Sequence, residues 1–247
     1  MTTSPTESPP ATPPASPFLA LDTSGPTARV ALLDADGRVL AADQRTSPRH
    51  STILLPMCHD LFQRTGVTVA QLRGIACGGG PGSFTGLRVG LAVVKGLALG
   101  FDLPLVLVSS LAALAVDLAG ATTQDLLAPA IDAGKGELYV QLFRRSENGD
   151  VTALGPEVRT LPEPYAKDLL ATGQRPLFGG TGADRHHAAL AAVLGEAAVV
   201  TAFPGPSARA IGHLGLPRLL RGDRDDLGTA VPVYGRPPDI TTPKPRS

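Results

Sequence analysis

Tryptophan is absent from this 247-residue chain and aromatic residues make up only 4% of it, so any core must be packed mainly from Ala, Leu and Val. Neither sign of charge is in excess, since 22 Lys and Arg offset 22 Asp and Glu. A neutral chain has no overall field with which to draw in a polyanion, which argues against tight, autonomous binding of nucleic acid. Cysteine is scarce: Cys58 and Cys77 stand in apolar contexts and form no C-x-x-C pair, which excludes a disulfide framework and reads as two reduced core thiols. No apolar run reaches the roughly 20 residues that span a bilayer, because Lys95, Asp102 and Asp117 interrupt the richest windows. The first 17 residues lack the basic and apolar regions of a secretion signal, so a cytoplasmic protein is expected.

Two kinds of chemistry are missing as well. No two of His50, His59, His186, His187 and His213 are four apart, as a helical zinc-hydrolase pair requires. The neighbours His186 and His187 would diverge by about 100° on a helix, which suits a solvated face. The Gly-x-Ser-x-Gly elbow of esterases occurs nowhere, Ser83 included.

What the chain does contain starts with a compositional boundary. Fifteen of the residues Met1 to Pro17 are Ser, Thr, Pro or Ala, six of them proline, and Pro237 to Ser247 holds four more prolines. Both ends read as irregular tails. Between them, with 43% apolar residues overall, there is enough material for one large core or two modest ones. Strands are expected at Phe18 to Leu21, Ala28 to Leu33 and Val39 to Gln44, joined by short turns into a meander. A helix follows over Ile53 to Thr65, with Leu54, Met57, Cys58 and Leu61 at i, i+3, i+4, i+7 on its inner face and Leu55 and Phe62 on a flank. Gly74 to Cys77, a helix from Phe84 to Gly100, and Leu105 to Val108 then make a parallel crossover. In the second half a hairpin is expected from Leu126 to Ile131 and Glu137 to Phe143, and helices over Pro164 to Ala171, Asp184 to Leu194 and Ser207 to Arg221, the last capped by Ser207. These elements give an α/β chain with units at Phe18 to Leu107 and Val108 to Arg236.

The richest stretch is Gly78-Gly79-Gly80-Pro81-Gly82-Ser83-Phe84-Thr85-Gly86-Leu87-Arg88. It fits neither a Walker loop, since Gly86 is followed by Leu87 and Arg88, nor Gly-x-Gly-x-x-Gly, since Ser83 and Thr85 stand where the last glycine is needed. It reads instead as a tight strand-to-helix turn with Ser83 or Thr85 as the cap, although a helix N-terminus there would still attract an anion. The helix it opens carries only Arg88 and Lys95 as charges between Leu87 and Leu99. A helix apolar on nearly every side needs cover beyond one sheet, either from a large core or from a second protein.

The string Pro81 to Arg88, PGSFTGLR, resembles the signature of the TsaB (YeaZ) family, non-catalytic subunits of the bacterial tRNA threonylcarbamoyladenosine machinery. Leu19 to Ser24, Arg49-His50-Ser51 with Leu54 to Met57, Val108 to Leu114, Asp132 to Tyr139 and Val231 to Tyr234 extend the resemblance over roughly Phe18 to Arg236. It implies a two-domain fold of the actin, sugar kinase and Hsp70 type, with mixed sheets flanked by helices. It also implies a scaffold that pairs with the transferase TsaD and with the ATPase TsaE, and meets tRNA only through the complex. TsaD then transfers threonylcarbamoyl to the adenosine 3′ of the anticodon in tRNAs reading codons that begin with A. The pairing surface would be the helices Ile53 to Thr65 and Phe84 to Gly100, with Leu55, Phe62, Gly86, Arg88, Gly90, Val93, Leu97 and Gly100 at the contact, and the same surface could pair two copies when the partner is missing.

The fold has nucleotide-binding members, which keeps a second reading open: an autonomous ATP-dependent kinase or ATPase. Its contacts would come from Asp22 and Ser24 in the first turn, Ser83 and Thr85 at the helix start, Asp132 and Gly134 in the second hairpin, and Gly180 in Gly179-Gly180-Thr181-Gly182. Ser24 stands where active members usually have glycine, and Gly134 replaces the arginine usual in TsaB. The first turn, the second hairpin and Gly179 to Gly182 are also ordinary turn sequences. The scaffold reading expects no cofactor on the chain alone, and ATP only at an interface of the complex.

Overall fold

The computed structural model describes residues 16–201 and 203–233. The tails expected before Phe18 and after Arg236 lie outside these residues, apart from Ser16 and Pro17, and so does Tyr234. The first sheet takes the order β3-β2-β1-β4-β5, built from β1 (Phe18–Asp22), β2 (Thr27–Leu33), β3 (Val39–Thr46), β4 (Gly74–Gly78) and β5 (Leu105–Val108). β1 pairs antiparallel with β2 and parallel with β4, so Leu21 lies opposite Val30 on one side and Cys77 on the other. This is the expected meander followed by a parallel crossover.

Side-chain alternation along these strands sorts them onto two cores. Leu19, Leu21, Val30, Leu32, Ile75 and Cys77 meet α1 (His50–Thr65) and α2 (Phe84–Phe101). Phe18, Ala20, Ala31, Leu33, Ala76 and Val106 face the other way, toward α7 (Ala208–Leu220). The residues expected to face inward on α1, Leu54, Met57, Cys58 and Leu61, are all buried. α1 begins three residues earlier than its apolar period suggests, because His50 is itself buried and its Nε2 lies 3.1 Å from the Pro26 carbonyl.

The second sheet runs β10-β7-β6-β11-β12, with β8 paired to β6 and β9 to β8. Its strands are β6 (Leu126–Gly134), β7 (Glu137–Val140), β8 (Phe143–Arg145), β9 (Val151–Ala153), β10 (Val158–Thr160), β11 (Leu177–Gly179) and β12 (Val199–Val200). Phe143, expected in the same strand as Glu137, starts a separate strand against Leu127. β11 and β12 are three and two residues long, too short to show a period. On one face lie α4 (Pro162–Ala171) and α6 (His187–Leu194), against Ala128, Ala130 and Phe178. The other meets α3 (Ser110–Ala119), whose Leu111, Leu114 and Leu118 pack on Leu127, Ile131 and Tyr139. The single helix expected over Asp184 to Leu194 is broken at His186 into α5 (Thr181–Arg185) and α6.

The expected division at Val108 needs one correction. α7 belongs to the second half in sequence, yet it packs on the first sheet, where Ala208, Ile211, Leu216 and Leu219 cover Phe18, Ala20 and Val106. The cause is steric: this face of the sheet is lined by alanines, and α7 approaches it through small residues, so that a Cβ on Gly212 would come within 2.6 Å of Leu33. α3 stands between the two halves, and its Asp117 accepts hydrogen bonds of 2.7 Å from both the backbone N–H and the hydroxyl of Ser207, the N-cap of α7.

Candidate functional site

The strand end Asp22-Thr23-Ser24 and the glycine-rich segment fit each other residue by residue. A side chain on Gly78 would overlap the Asp22 carboxylate, on Gly82 it would overlap Ser24, and on Gly86 or Gly90 it would overlap the carbonyl or the hydroxyl of Thr23. The four glycines recur every fourth residue, which turns one line of bare backbone toward a single buried turn. Close approach to protein, not to phosphate, is what these glycines permit here. Ser83 caps α2 as expected, its hydroxyl accepting from Gly86 N–H at 3.2 Å, while its own N–H donates to the Ser24 carbonyl at 2.7 Å.

Asp22 is wholly buried. Its carboxylate accepts from Ser24 N–H (2.9 Å), the Ser24 hydroxyl (2.7 Å) and the Ser110 hydroxyl (3.0 Å). Burial pushes its pKa up, against the opposing effect of those hydrogen bonds and of Arg29. Arg29, 4% exposed, donates to the Pro204 carbonyl at 2.9 Å, and its pKa is lowered by burial against the pull of Asp22 and Asp117.

An open cleft of about 1440 Å³ separates the two halves. Of the residues expected at a nucleotide, Ser24, Ser83, Thr85, Asp132 and Gly134 line it, whereas Asp22 and Gly180 do not. Gly180 is closed in by the Ala130 carbonyl and Leu114. Asp132 Oδ2 pairs with Arg185 at 3.3 Å and Oδ1 accepts from Gly134 N–H at 3.0 Å. Arg49, Thr181 and Arg185, which sequence reasoning did not select, also line the cleft. Arg49 and Thr181 lie in segments the sequence singled out for other reasons, and nothing local marks Arg185; the facing of the two halves brings all three there.

The fold type implies a magnesium nucleotide here, and the first-turn carboxylate does not fit one. A metal-bound phosphate needs a carboxylate free to face the cleft; Asp22 is sealed behind Ser24 with both oxygens engaged, and Asp132, which does line the cleft, is engaged by Arg185 and by Gly134 N–H. Among the described residues, no group of three or more His, Cys, Asp or Glu side chains is arranged to hold a metal ion.

The second feature is the outer face of α1 and α2. Leu99 is 72% exposed, Leu55 52% and Phe101 48%, while Phe62, Val93 and Leu97 are half-buried on the rim of the core. Arg88 is exposed and stacks 3.9 Å above the ring of Phe84. The expected contact stripe is corrected at two positions: Gly86 and Gly90 face inward onto Thr23, so no partner can reach them. Gly96 and Gly100 face open space instead. Sequence could not choose between these faces, because α2 is apolar on both; Leu99 and Gly96 were missed for that reason, and Phe101 because the expected helix ended at Gly100. By length and composition α2 is also apolar enough to cross a membrane, but six of its residues pack into the chain's own core.

A segment after α7 closes the back of the glycine run. Asp225 accepts from Leu107 N–H at 2.6 Å and from Arg218 at 3.1 Å, and Val233 N–H donates to the Gly79 carbonyl at 2.8 Å.

These features define a two-domain protein of the actin and sugar kinase type whose first turn is plugged into its own helix start and whose helical flank is left apolar and open. Inorganic polyphosphate/ATP-glucomannokinase from Arthrobacter sp. strain KM shares this fold alone, with a TM-score of 0.51 at 11% identity over 84% of this chain and 99% of that one. Residues 43–168 match the family model of TsaD, tRNA N6-adenosine threonylcarbamoyltransferase. The tRNA threonylcarbamoyladenosine biosynthesis protein TsaB of Bacillus subtilis (strain 168) is 31% identical over 177 residues, 72% of this chain and 76% of that protein. TsaB of Escherichia coli (strain K12) is 38% identical over 131 residues, and there the match spans 53% of this chain and only 56% of the relative. YeaZ from Pseudomonas aeruginosa superposes with a TM-score of 0.75 at 32% identity, over 89% of this chain and 99% of that one. The chain belongs to the TsaB family.

Proposed function

We propose that this chain acts in tRNA threonylcarbamoyladenosine biosynthesis as a scaffold and activator, not as the transferase. Its α1–α2 face docks TsaD, TsaE joins at or near that heterodimer, and TsaD carries the threonylcarbamoyl transfer to the adenosine 3′ of the anticodon. The carrying observation is the outer stripe of α2, where Gly96 and Leu99 stand exposed at i, i+3 on a helix whose opposite side is packed, with Leu55 exposed on α1. A helix left apolar on its outer side marks an interaction surface. The sealed Asp22 supports the absence of nucleotide chemistry on the chain alone. Any nucleotide is bound in the complex, tRNA is met only there, and two copies pair through the same face when TsaD is missing.

The test is to mix the purified chain with TsaD of its own organism and measure mass by light scattering after size exclusion, with ATP turnover by the chain alone in parallel. A stable heteromer without turnover is expected. No heteromer together with robust turnover would establish the autonomous ATPase instead.

A further inference from the structure

The contact between Thr23 and α2 reaches beyond core packing, because α2 carries the docking face on its other side. Thr23 is wholly buried and its hydroxyl has no hydrogen-bond partner, so what it offers α2 is shape. Its carbonyl lies against Gly86 and its hydroxyl against Gly90, the first two turns of an 18-residue helix. The Gly86 contact is to backbone, which cannot yield as a flexible side chain does, and the Gly90 contact is to the short, β-branched Thr23 side chain, which is stiff and wholly buried. Thr23 is itself immobilised on both sides. Asp22 is held by Ser24 and Ser110, and the Ser24 carbonyl takes the N–H of Ser83 at the helix cap. Leu99 lies nine residues beyond Gly90, about 14 Å along the axis at the usual rise. A lift at Gly90 therefore tilts Leu99 relative to Leu55 on α1.

We propose that Thr23 is a positioning residue for partner docking: held by Asp22 and Ser24, it sets the height and tilt of α2 through Gly86 and Gly90, and thereby aligns the apolar face offered to TsaD. This rests on the docking reading above. Gly90→Ala places a methyl on the Thr23 hydroxyl and lifts the helix. Thr23→Ala removes that hydroxyl, leaving the Thr23 Cβ at 3.4 Å from the new methyl, ordinary contact distance. The two substitutions together reseat the helix.

The experiment measures TsaD affinity of the full chain by titration calorimetry at low temperature, with far-UV circular dichroism and amide exchange of residues 86–94 on each variant. Gly90→Ala is expected to weaken binding about thirtyfold and Thr23→Ala about threefold, and the double variant to return to the Thr23→Ala value, a coupling in the range of residues in direct contact. A purely structural contact would lower thermal stability and be rescued in the melt, but leave the affinity of folded Gly90→Ala at the wild-type value. That result overturns the proposal, as does a double variant that stays as weak as Gly90→Ala. If Gly90→Ala does not fold, Thr23→Ala decides, and wild-type affinity in that variant overturns the proposal. Leu99→Asp tests the underlying reading separately. Undiminished binding there shows that TsaD docks elsewhere, and the proposal falls with the docking face; loss of binding there with unchanged Gly90→Ala condemns the positioning role alone.

Discussion

Gly90 and Gly96 lie less than two turns apart on one helix, and the same substitution at each should move stability in opposite directions. Replacing glycine by leucine within a helix gains somewhat less than the roughly 0.8 to 1 kcal/mol of propensity that separates glycine from alanine. At Gly96 nothing lies within 4 Å of a new Cβ, so that gain is kept. At Gly90 the Cβ alone meets the Thr23 hydroxyl, before the rest of the side chain is placed. The turn below it is pinned by three hydrogen bonds to Asp22. Overpacking of a core that cannot relax costs about 3 kcal/mol, the upper part of the usual range. Subtracting the propensity gain leaves Gly90→Leu about 2 kcal/mol less stable and Gly96→Leu up to about 1 kcal/mol more stable. For a chain of this length each kcal/mol moves the melting temperature by about 2 to 4 °C, so the two variants should melt about 6 to 12 °C apart. Urea and thermal unfolding followed by circular dichroism on the isolated chain measure this. Equal melting temperatures, or a Gly90→Leu chain as stable as wild type, would refute the inward placement of Gly90 and restore it to a partner surface.

Other outcomes follow from the same contacts. Leu55→Asp and Leu99→Asp should each leave the isolated chain within about 0.5 kcal/mol of wild type, as substitutions at exposed sites do, while abolishing the TsaD heteromer on size exclusion; a heteromer that survives both locates docking elsewhere. Because burial raises the pKa of Asp22 above its ordinary 3.8, the native chain holds that proton more tightly than the unfolded one. This group therefore adds stability as pH falls from its native pKa toward 3.8 and adds none above it. Asp22→Asn should accordingly compare best with wild type near pH 8 and lose ground as pH approaches 4.5, in urea midpoints taken at both values. An advantage that grows toward acid would contradict the burial argument. Burial pushes the Cys58 thiol up to about 12 and raises Cys77 as well, so neither should react with Ellman's reagent at pH 8 until urea unfolds the chain, when both should; rapid labelling of the native state would show that α1 or β4 opens.

Much of the first half could be read before folding. The β1–β2–β3 meander, the α1 inner face of Leu54, Met57, Cys58 and Leu61, the crossover around α2 and the Ser83 and Ser207 caps all obey local rules, in which period, turn residues and cap chemistry lie within a few residues of each other. The second half was harder for a definite reason. β11 and β12 are too short to carry a period, and the helix break at His186 has no glycine or proline to announce it. The site divided in the same way: Ser24, Ser83, Thr85, Asp132 and Gly134 do meet at the cleft, but Asp22 turned away from it, and Gly86 and Gly90 turned inward.

The amino-acid sequence by itself determined the α/β order of elements, the family resemblance carried by Pro81 to Arg88, and the surplus of apolar surface on α2. These depend on residue types at short spacing, which a linear string records. Only the tertiary structure decided which side of α2 is surplus, that α7 returns to the first sheet, and that Asp22 is bound by Ser110, 88 residues away. A helix apolar all round contains no phase information, so its buried face is chosen by what it lands on, and here that is Thr23.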